Sequence, residues 1–190
     1  MKTEADLLDD LRQPQHKERA FKELVELYQQ RLYWHIRKIV LTHENADDVL
    51  QNTFLRIFRG IDSFEGKSSL LTWMYRIAYN ESLRFLQKNK MSKNTTAIDN
   101  SIYLEKLTSD SYFDGDEVKK KLHATLLDLS EKQRRVFQLK YFDVLCFKDI
   151  AEILEVVENT LSSSYCRSVQ TIHRRMLLEL TEWAKRQRVY

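Results

Sequence analysis

The sequence predicts an all-α protein of two small helical domains joined by a flexible linker, with a helix-turn-helix in the C-terminal domain. Three observations lead there. The 190 residues include three Gly and one Pro, leaving almost no material for hairpin turns, while Leu, Glu, Lys, Arg and Gln abound. Apolar residues recur at the 3, 4, 7 spacing of a helix face over several stretches. Between Met91 and Asp116 that periodicity fades and the residues shift to Ser, Thr, Asn and Asp, as in a connector. The division is therefore 1–92, a linker over 93–116, and 117–190, each domain large enough to bury a core but only marginally stable alone.

The elements follow in order. Phe21, Leu24, Val25, Tyr28, Leu32, Ile36, Ile39 and Val40 make residues 17–40 an amphipathic helix. After a break near Thr42 to Asn45, a second stripe runs through Ala46, Val49, Leu50, Phe54, Ile57, Phe58 and Ile61, turning Asp47, Asp48, Gln51 and Asn52 away from the core. A loop from about Ile61 to Ser69 leads into a helix from about Leu70 to Lys88. In the second half a helix runs through Val118, Leu122, Leu126 and Leu129. Ser130-Glu131-Lys132-Gln133 reads as a capping box, in which the Ser hydroxyl accepts from the Gln133 amide and the Gln side chain reaches back. The helix that follows carries Val136, Phe137 and Tyr141. Asp143 to Cys146 breaks the pattern, a short helix turns Ile150, Ile153 and Leu154 inward, and a longer stripe of Leu161, Tyr165, Ser168, Val169, Ile172 and Met176 completes a helix-turn-helix.

Charge and cysteine usage narrow the class. The net charge of +3 is too mild to imply a nucleic-acid partner by itself. Its distribution says more, because Ser82 to Ile98 has no carboxylate and carries Arg84, Lys88, Lys90 and Lys93, whereas Asp99 to Glu117 holds six carboxylates against one lysine. Cys146 and Cys166 form no CxxC pair and have no His at ligand spacing, so no zinc site is expected. No apolar run approaches the roughly 18 residues of a membrane span, and the unpaired cysteines suit a reducing cytoplasmic setting. No nucleophile and base pair, glycine-rich phosphate loop or metal constellation appears. The expectation is therefore a non-enzyme with no catalytic residues, cofactor or metal.

Two faces suggest nucleic acid. At about 100° per residue, Trp73, Arg76, Asn80, Arg84 and Gln87 share one side of their helix, while Leu70, Met74, Ile77, Ala78 and Phe85 share the other. An aromatic ring, two guanidinium groups and two amides suit separated strands, where rings stack on bases, Arg meets phosphate and Asn offers donor and acceptor to a base edge. Glu81 falls near the middle of the apolar stripe, so either the helix is rotated from this wheel or the carboxylate is paired, with Lys88 or Arg84 in reach. On the last helix Glu158, Asn159, Ser162, Ser163, Cys166, Arg167 and Gln170 point outward, followed by His173, Arg174 and Arg175. Asn, Arg and Gln can read base edges in a major groove, and Ser and the basic end can grip phosphates. An ordinary solvated face, or a helix packed on a partner domain, would show much the same residues.

Taken together, Asp47-Asp48-Val49-Leu50-Gln51-Asn52-Thr53-Phe54, Ser69-Leu70-Leu71-Thr72-Trp73-Met74-Tyr75-Arg76-Ile77-Ala78-Tyr79-Asn80, and Leu129 to Phe137 with Asp149-Ile150-Ala151-Glu152-Ile153-Leu154 resemble the small extracytoplasmic function (ECF) sigma factors of bacterial RNA polymerase. The resemblance covers most of the chain. It implies that residues 1–92 are sigma region 2, which binds core polymerase and recognises and melts the −10 element, and that 117–190 are region 4, which reads the −35 element. By that analogy Asp47, Asp48, Gln51, Asn52 and Phe54 meet the clamp helices of the β′ subunit. Phe64, Lys67 and Ser69, in the loop that helps hold a flipped-out non-template base, join Trp73, Arg76, Asn80 and Arg84 in −10 binding. Asn159, Thr160, Ser162, Ser163, Arg167, Gln170 and Arg174 then face the −35 duplex.

The sequence departs from the family at Val157, Asn159 and Ser162, where Ser, Gly and Lys are often found. Losing the Ser cap removes roughly 0.5–2 kcal/mol of helix-end stabilisation, unless Asn159 takes over. Ser in place of a phosphate-gripping Lys lowers the salt slope by about one unit. An anti-sigma partner is common in the family, though no residue in the sequence demonstrates one. The competing reading is a helix-turn-helix regulator that binds DNA without joining polymerase; the acidic helix discriminates between the two.

Overall fold

The computed structural model describes residues 3–93 and 117–187, and among these every regular element is helical. The chain divides into two compact units, one N-terminal and one C-terminal. The linker expected over 93–116 lies outside the described residues from residue 94 onward.

The N-terminal unit opens with a helix the sequence reading did not anticipate. Helix α1 (Glu4–Arg12) starts on a capping box: Thr3 Oγ1 accepts from the Asp6 amide at 3.2 Å and Asp6 Oδ2 accepts from the Thr3 amide at 2.8 Å. It buries Leu7 and Leu11. Helix α2 (Lys17–Val40) is central, packed by α1, α3 and α4. In its last turns residues 35–41 are all buried, including His35, Arg37 and Lys38. It stops because Leu41 turns left-handed (φ 72°), returning its N–H to the Arg37 carbonyl, while the Arg37 guanidinium donates to the Leu41 carbonyl. Thr42 is then extended and caps helix α3 (His43–Gly60) by accepting from the Asn45 amide at 3.3 Å. A 3₁₀ turn, Ile61–Ser63, leads to the loop before helix α4 (Leu70–Lys93), which runs past the expected end at Lys88.

In α3 the buried line is Ala46, Val49, Thr53 and Ile57, with Leu50, Phe54 and Phe58 only half-buried at its edge. Thr53 fits because its hydroxyl donates to the Val49 carbonyl at 2.7 Å, leaving a methyl for the core. Helix α4 packs on both α2 and α3, so its buried arc is wider than one stripe and takes in Thr72, Tyr75 and Ser82 beside Leu70, Met74 and Ala78. Ile77 and Phe85, expected inside, are half-buried.

The C-terminal unit comprises α5 (Glu117–Leu126), α6 (Glu131–Tyr141), most of α7 (Phe147–Leu154) and α8 (Asn159–Gln187). Leu126, Leu129, Phe137 and Ile172 form a buried cluster, with Leu122, Phe142, Tyr165 and Met176 packed on it. The Ser130–Gln133 capping box is present in both directions, at 3.4 and 3.2 Å. Cys146 caps α7 in the place of a Ser or Thr: Sγ accepts from the Asp149 amide at 3.5 Å and donates to Asp149 Oδ2 at 2.8 Å. Helix α7 ends on Glu155, left-handed at φ 55°. Val118, Tyr141 and Val169, read as core positions, are exposed. Val118 and Tyr141 stand at helix ends, and Val169 flanks the line of Leu161, Ser168 and Ile172 that α8 buries.

Candidate functional site

Three exposed surfaces carry the residues singled out above. The first is the outward side of α3, where Asp47, Asp48, Gln51 and Asn52 are exposed because Ala46, Val49 and Thr53 hold the opposite side in the core. Asn52 Nδ2 donates to the Asp48 backbone carbonyl at 2.9 Å. Leu55, one helical step on and 47% exposed, adds an apolar group beside the acidic ones that the sequence pattern did not mark. Phe54 does not share this side fully. It is half-buried, its ring edge-on to Phe21 at 6.2 Å, so it belongs chiefly to the α2–α3 contact.

The second surface is the loop before α4 and the side of α4 that follows it. Phe64, expected among the DNA-facing groups, is only 5% exposed and sits 5.2 Å from the Trp73 ring. Its burial follows from the 3₁₀ turn, which returns the Phe64 amide to the Ile61 carbonyl and directs the chain inward. Trp73 is half-buried between Phe64 and Gly60, where a Cβ would stand 3.4 Å from its ring. Lys67 is exposed at the loop tip, paired with Glu65, next to Gly66 at φ 71°. Ser69 caps α4, its Oγ accepting from the Thr72 amide at 3.1 Å and its carbonyl from the Trp73 amide at 3.1 Å. Arg76 and Asn80 are half-buried and Gln87 is exposed. Arg84 is exposed and bonded to Glu81 at 2.5 Å. Glu81, the awkward carboxylate of the wheel, has a second partner: Arg56 of α3 reaches it at 2.7 Å. That cation lies 25 positions earlier in the chain, beyond any local pattern.

The third surface is α8. Asn159, Thr160, Ser162, Ser163, Arg167, Gln170 and Arg174 are all exposed, as are Cys166 and His173. Helix α8 begins at Asn159, which therefore stands in its first turn and not in front of it. The Thr160 hydroxyl donates to the Val157 carbonyl at 2.9 Å and Ser163 to the Thr160 carbonyl at 3.2 Å, leaving their oxygens able to accept. Arg175 is engaged by Asp128 at 2.8 Å, tying α8 to the corner between α5 and α6. Burial lifts the Tyr165 phenol above its ordinary range, with Tyr141 and Cys166 adding to the lift.

The comparisons with known proteins cover the N-terminal and the C-terminal unit in order. The family profile for Sigma-70 region 2 matches residues 24–91, and that for Sigma-70 region 4 matches residues 119–172, together more than half of the chain. The chain belongs to the sigma-70 family, as an ECF RNA polymerase sigma factor. This sigma factor is 25% identical over 166 residues to the ECF RNA polymerase sigma factor SigW of Bacillus subtilis, covering 83% of this chain and 89% of that one. It is 29% identical over 163 residues to the RNA polymerase sigma-H factor of Pseudomonas aeruginosa, covering 81% and 84%. In fold it is similar to RpoE of Bartonella quintana, solved with the anti-sigma factor NepR, at a TM-score of 0.64 and 22% identity over 82% of this chain and 96% of that one. CnrH, solved with the cytosolic domain of CnrY, gives the same TM-score at 18% identity over 92% and 96%. Helix α3 and the side of α4 that carries Trp73 and Asn80 fall within the region 2 match, and the first half of α8 within the region 4 match. Among the described residues of the sigma factor, no helix is long and apolar enough to cross a membrane, and no cluster of His, Cys, Asp or Glu could hold a metal.

Proposed function

We propose that this sigma factor binds core RNA polymerase through the outward side of α3, captures the non-template −10 strand with the loop before α4 and the Trp73–Asn80–Arg84 side of α4, and reads the −35 duplex with α8. The observation that carries this reading is that the groups assigned to polymerase lie on α3 and those assigned to DNA on α4 with its preceding loop and on α8, with no residue shared. Polymerase and DNA can then be held at once. On α3, exposed Asp47 and Asp48 present charge that steers and registers a basic partner, and Leu55 supplies an apolar group beside them.

The energetics require that division. Opening about ten base pairs costs on the order of 10–15 kcal/mol at roughly 1.4 per step, while a captured base returns about 1–3 kcal/mol by stacking. A sigma domain alone cannot meet the difference, so opening is coupled to polymerase and the acidic helix is as necessary as the DNA-facing one. The work is done in the cytoplasm without a cofactor and without catalysis by the sigma chain itself. Because both RpoE of Bartonella quintana and CnrH were solved with a bound partner, an anti-sigma factor that covers these same surfaces is the expected regulator.

Reconstitution tests the reading. Asp48→Lys is expected to cut co-purification with core polymerase at least tenfold while leaving the melting temperature unchanged. Unaltered core binding would sink the assigned interface, and promoter binding with no core binding by the unaltered chain would favour a free-standing helix-turn-helix regulator.

A further inference from the structure

The loop between the 3₁₀ turn and α4 is fixed at its ends and free at its tip, and the fixing groups come from α1 and the start of α2. Arg12 Nη2 donates to the Phe64 carbonyl at 3.0 Å across 52 positions of sequence. Glu4 Oε1 accepts from the Leu70 amide at 3.1 Å across 66 positions, capping the first turn of α4. Lys17 Nζ meets Asp62 Oδ2 at 2.6 Å. Leu7 and Leu11, buried at 3% and 0%, hold α1 in place independently of these bonds. Between the fixed points, Glu65, Gly66 and Lys67 remain exposed. Each residue left unordered costs about 1–2 kcal/mol to fix when a ligand arrives, so a loop ordered beforehand keeps more of its binding free energy for the base it captures.

We infer that α1 is the positioning element of the base-capturing loop, with Arg12 and Glu4 setting its two ends and thereby the efficiency and base discrimination of promoter opening, although neither residue need touch DNA or polymerase. The inference rests on the −10 role proposed for the loop. Glu4 has a second effect: its carboxylate lies at the N-terminus of α4, where the helix dipole and open amides would otherwise attract a backbone phosphate. The strand is thus steered toward Lys67 and the Trp73 side, away from the helix end.

The test is made on reconstituted holoenzyme, with 2-aminopurine fluorescence reporting opening in promoters that carry either the preferred −10 bases or single substitutions. Glu4→Ala with Arg12→Ala is expected to reduce opening on the preferred promoter by about tenfold, the scale of two part-buried hydrogen bonds at their ordinary net strength acting through loop order, and to bring preferred and substituted promoters closer together. Core binding and −35 duplex binding should stay within twofold. Glu4→Gln with Arg12→Lys, which keeps an acceptor and a donor but not the Glu4 charge, should recover most of the opening and part of the discrimination; opening as poor as in the Ala pair at equal melting temperature would overturn the role of the two bonds. Full opening and discrimination in the Ala pair overturns the inference. Lys67→Ala separates it from the underlying reading: if Lys67→Ala impairs opening and the Ala pair does not, α1 is no positioning element, and if neither does, the −10 role of the loop itself fails.

Discussion

Glu81 sets how much positive charge α4 offers to a DNA strand. Its side chain is 11% exposed and bonded to Arg56 at 2.7 Å and Arg84 at 2.5 Å, while those two side chains are 52% and 59% exposed. Glu81→Gln keeps the volume and one acceptor oxygen but removes the charge. Both cations can rehydrate, so the cost stays near that of exposed pairs, about 1 kcal/mol or less, and not the 3–5 kcal/mol of a broken buried bridge. Released from its counter-charge, Arg84 neutralises one more phosphate. For single-stranded DNA one added contact steepens the dependence of log K on log salt by about 0.7, so between 50 and 200 mM salt the variant should lose about 2.5-fold more affinity than the unaltered protein. Anisotropy of a labelled −10 non-template oligonucleotide bound to holoenzyme measures this directly. Adding Arg84→Ala should return the slope to its starting value. Parallel salt lines for the unaltered protein and Glu81→Gln would refute the placement of Arg84 against the strand.

Arg167→Ala is expected to weaken −35 binding and relax preference at one base pair by about 1–3 kcal/mol; an unchanged promoter profile in run-off transcription would remove Arg167 from the reading surface. Val144 is left-handed at φ 58° and 78% exposed, so Val144→Asn should relieve about 1 kcal/mol of backbone strain while losing only about 0.3–0.6 kcal/mol of burial, raising the unfolding midpoint of the C-terminal unit by a few degrees. Burial holds the Tyr165 phenol above its ordinary 10.0, so the folded state resists the phenolate: this contribution to stability is complete below about pH 10 and is lost as pH rises further. Melts between pH 8 and 11 should therefore show a shallower alkaline decline for Tyr165→Phe.

Much of this molecule was legible because helices write their pattern locally. The 3, 4, 7 spacing located α2 at 17–40 and the outward turn of Asp47, Asp48, Gln51 and Asn52. Ser130 and Gln133 marked the start of α6 because a capping box is complete within four residues. Helix α1 was missed for the same reason in reverse: nine residues with two buried leucines make too short a period, and its meaning lies in partners 52 and 66 positions away.

The sequence by itself determined that the chain is helical, where most helices lie, and which polar groups oppose each apolar stripe, since all of these depend on neighbours within about two turns. Tertiary structure alone decided that Phe64 is a buried support beneath Trp73, that Phe54 leans into the contact with Phe21, and that Tyr75 is core because α4 touches two helices. It also decided that Glu81 joins α3 to α4 through Arg56 and that α1 holds the loop before α4. Such pairings depend on which helix surfaces meet, and a one-dimensional periodicity does not carry that information.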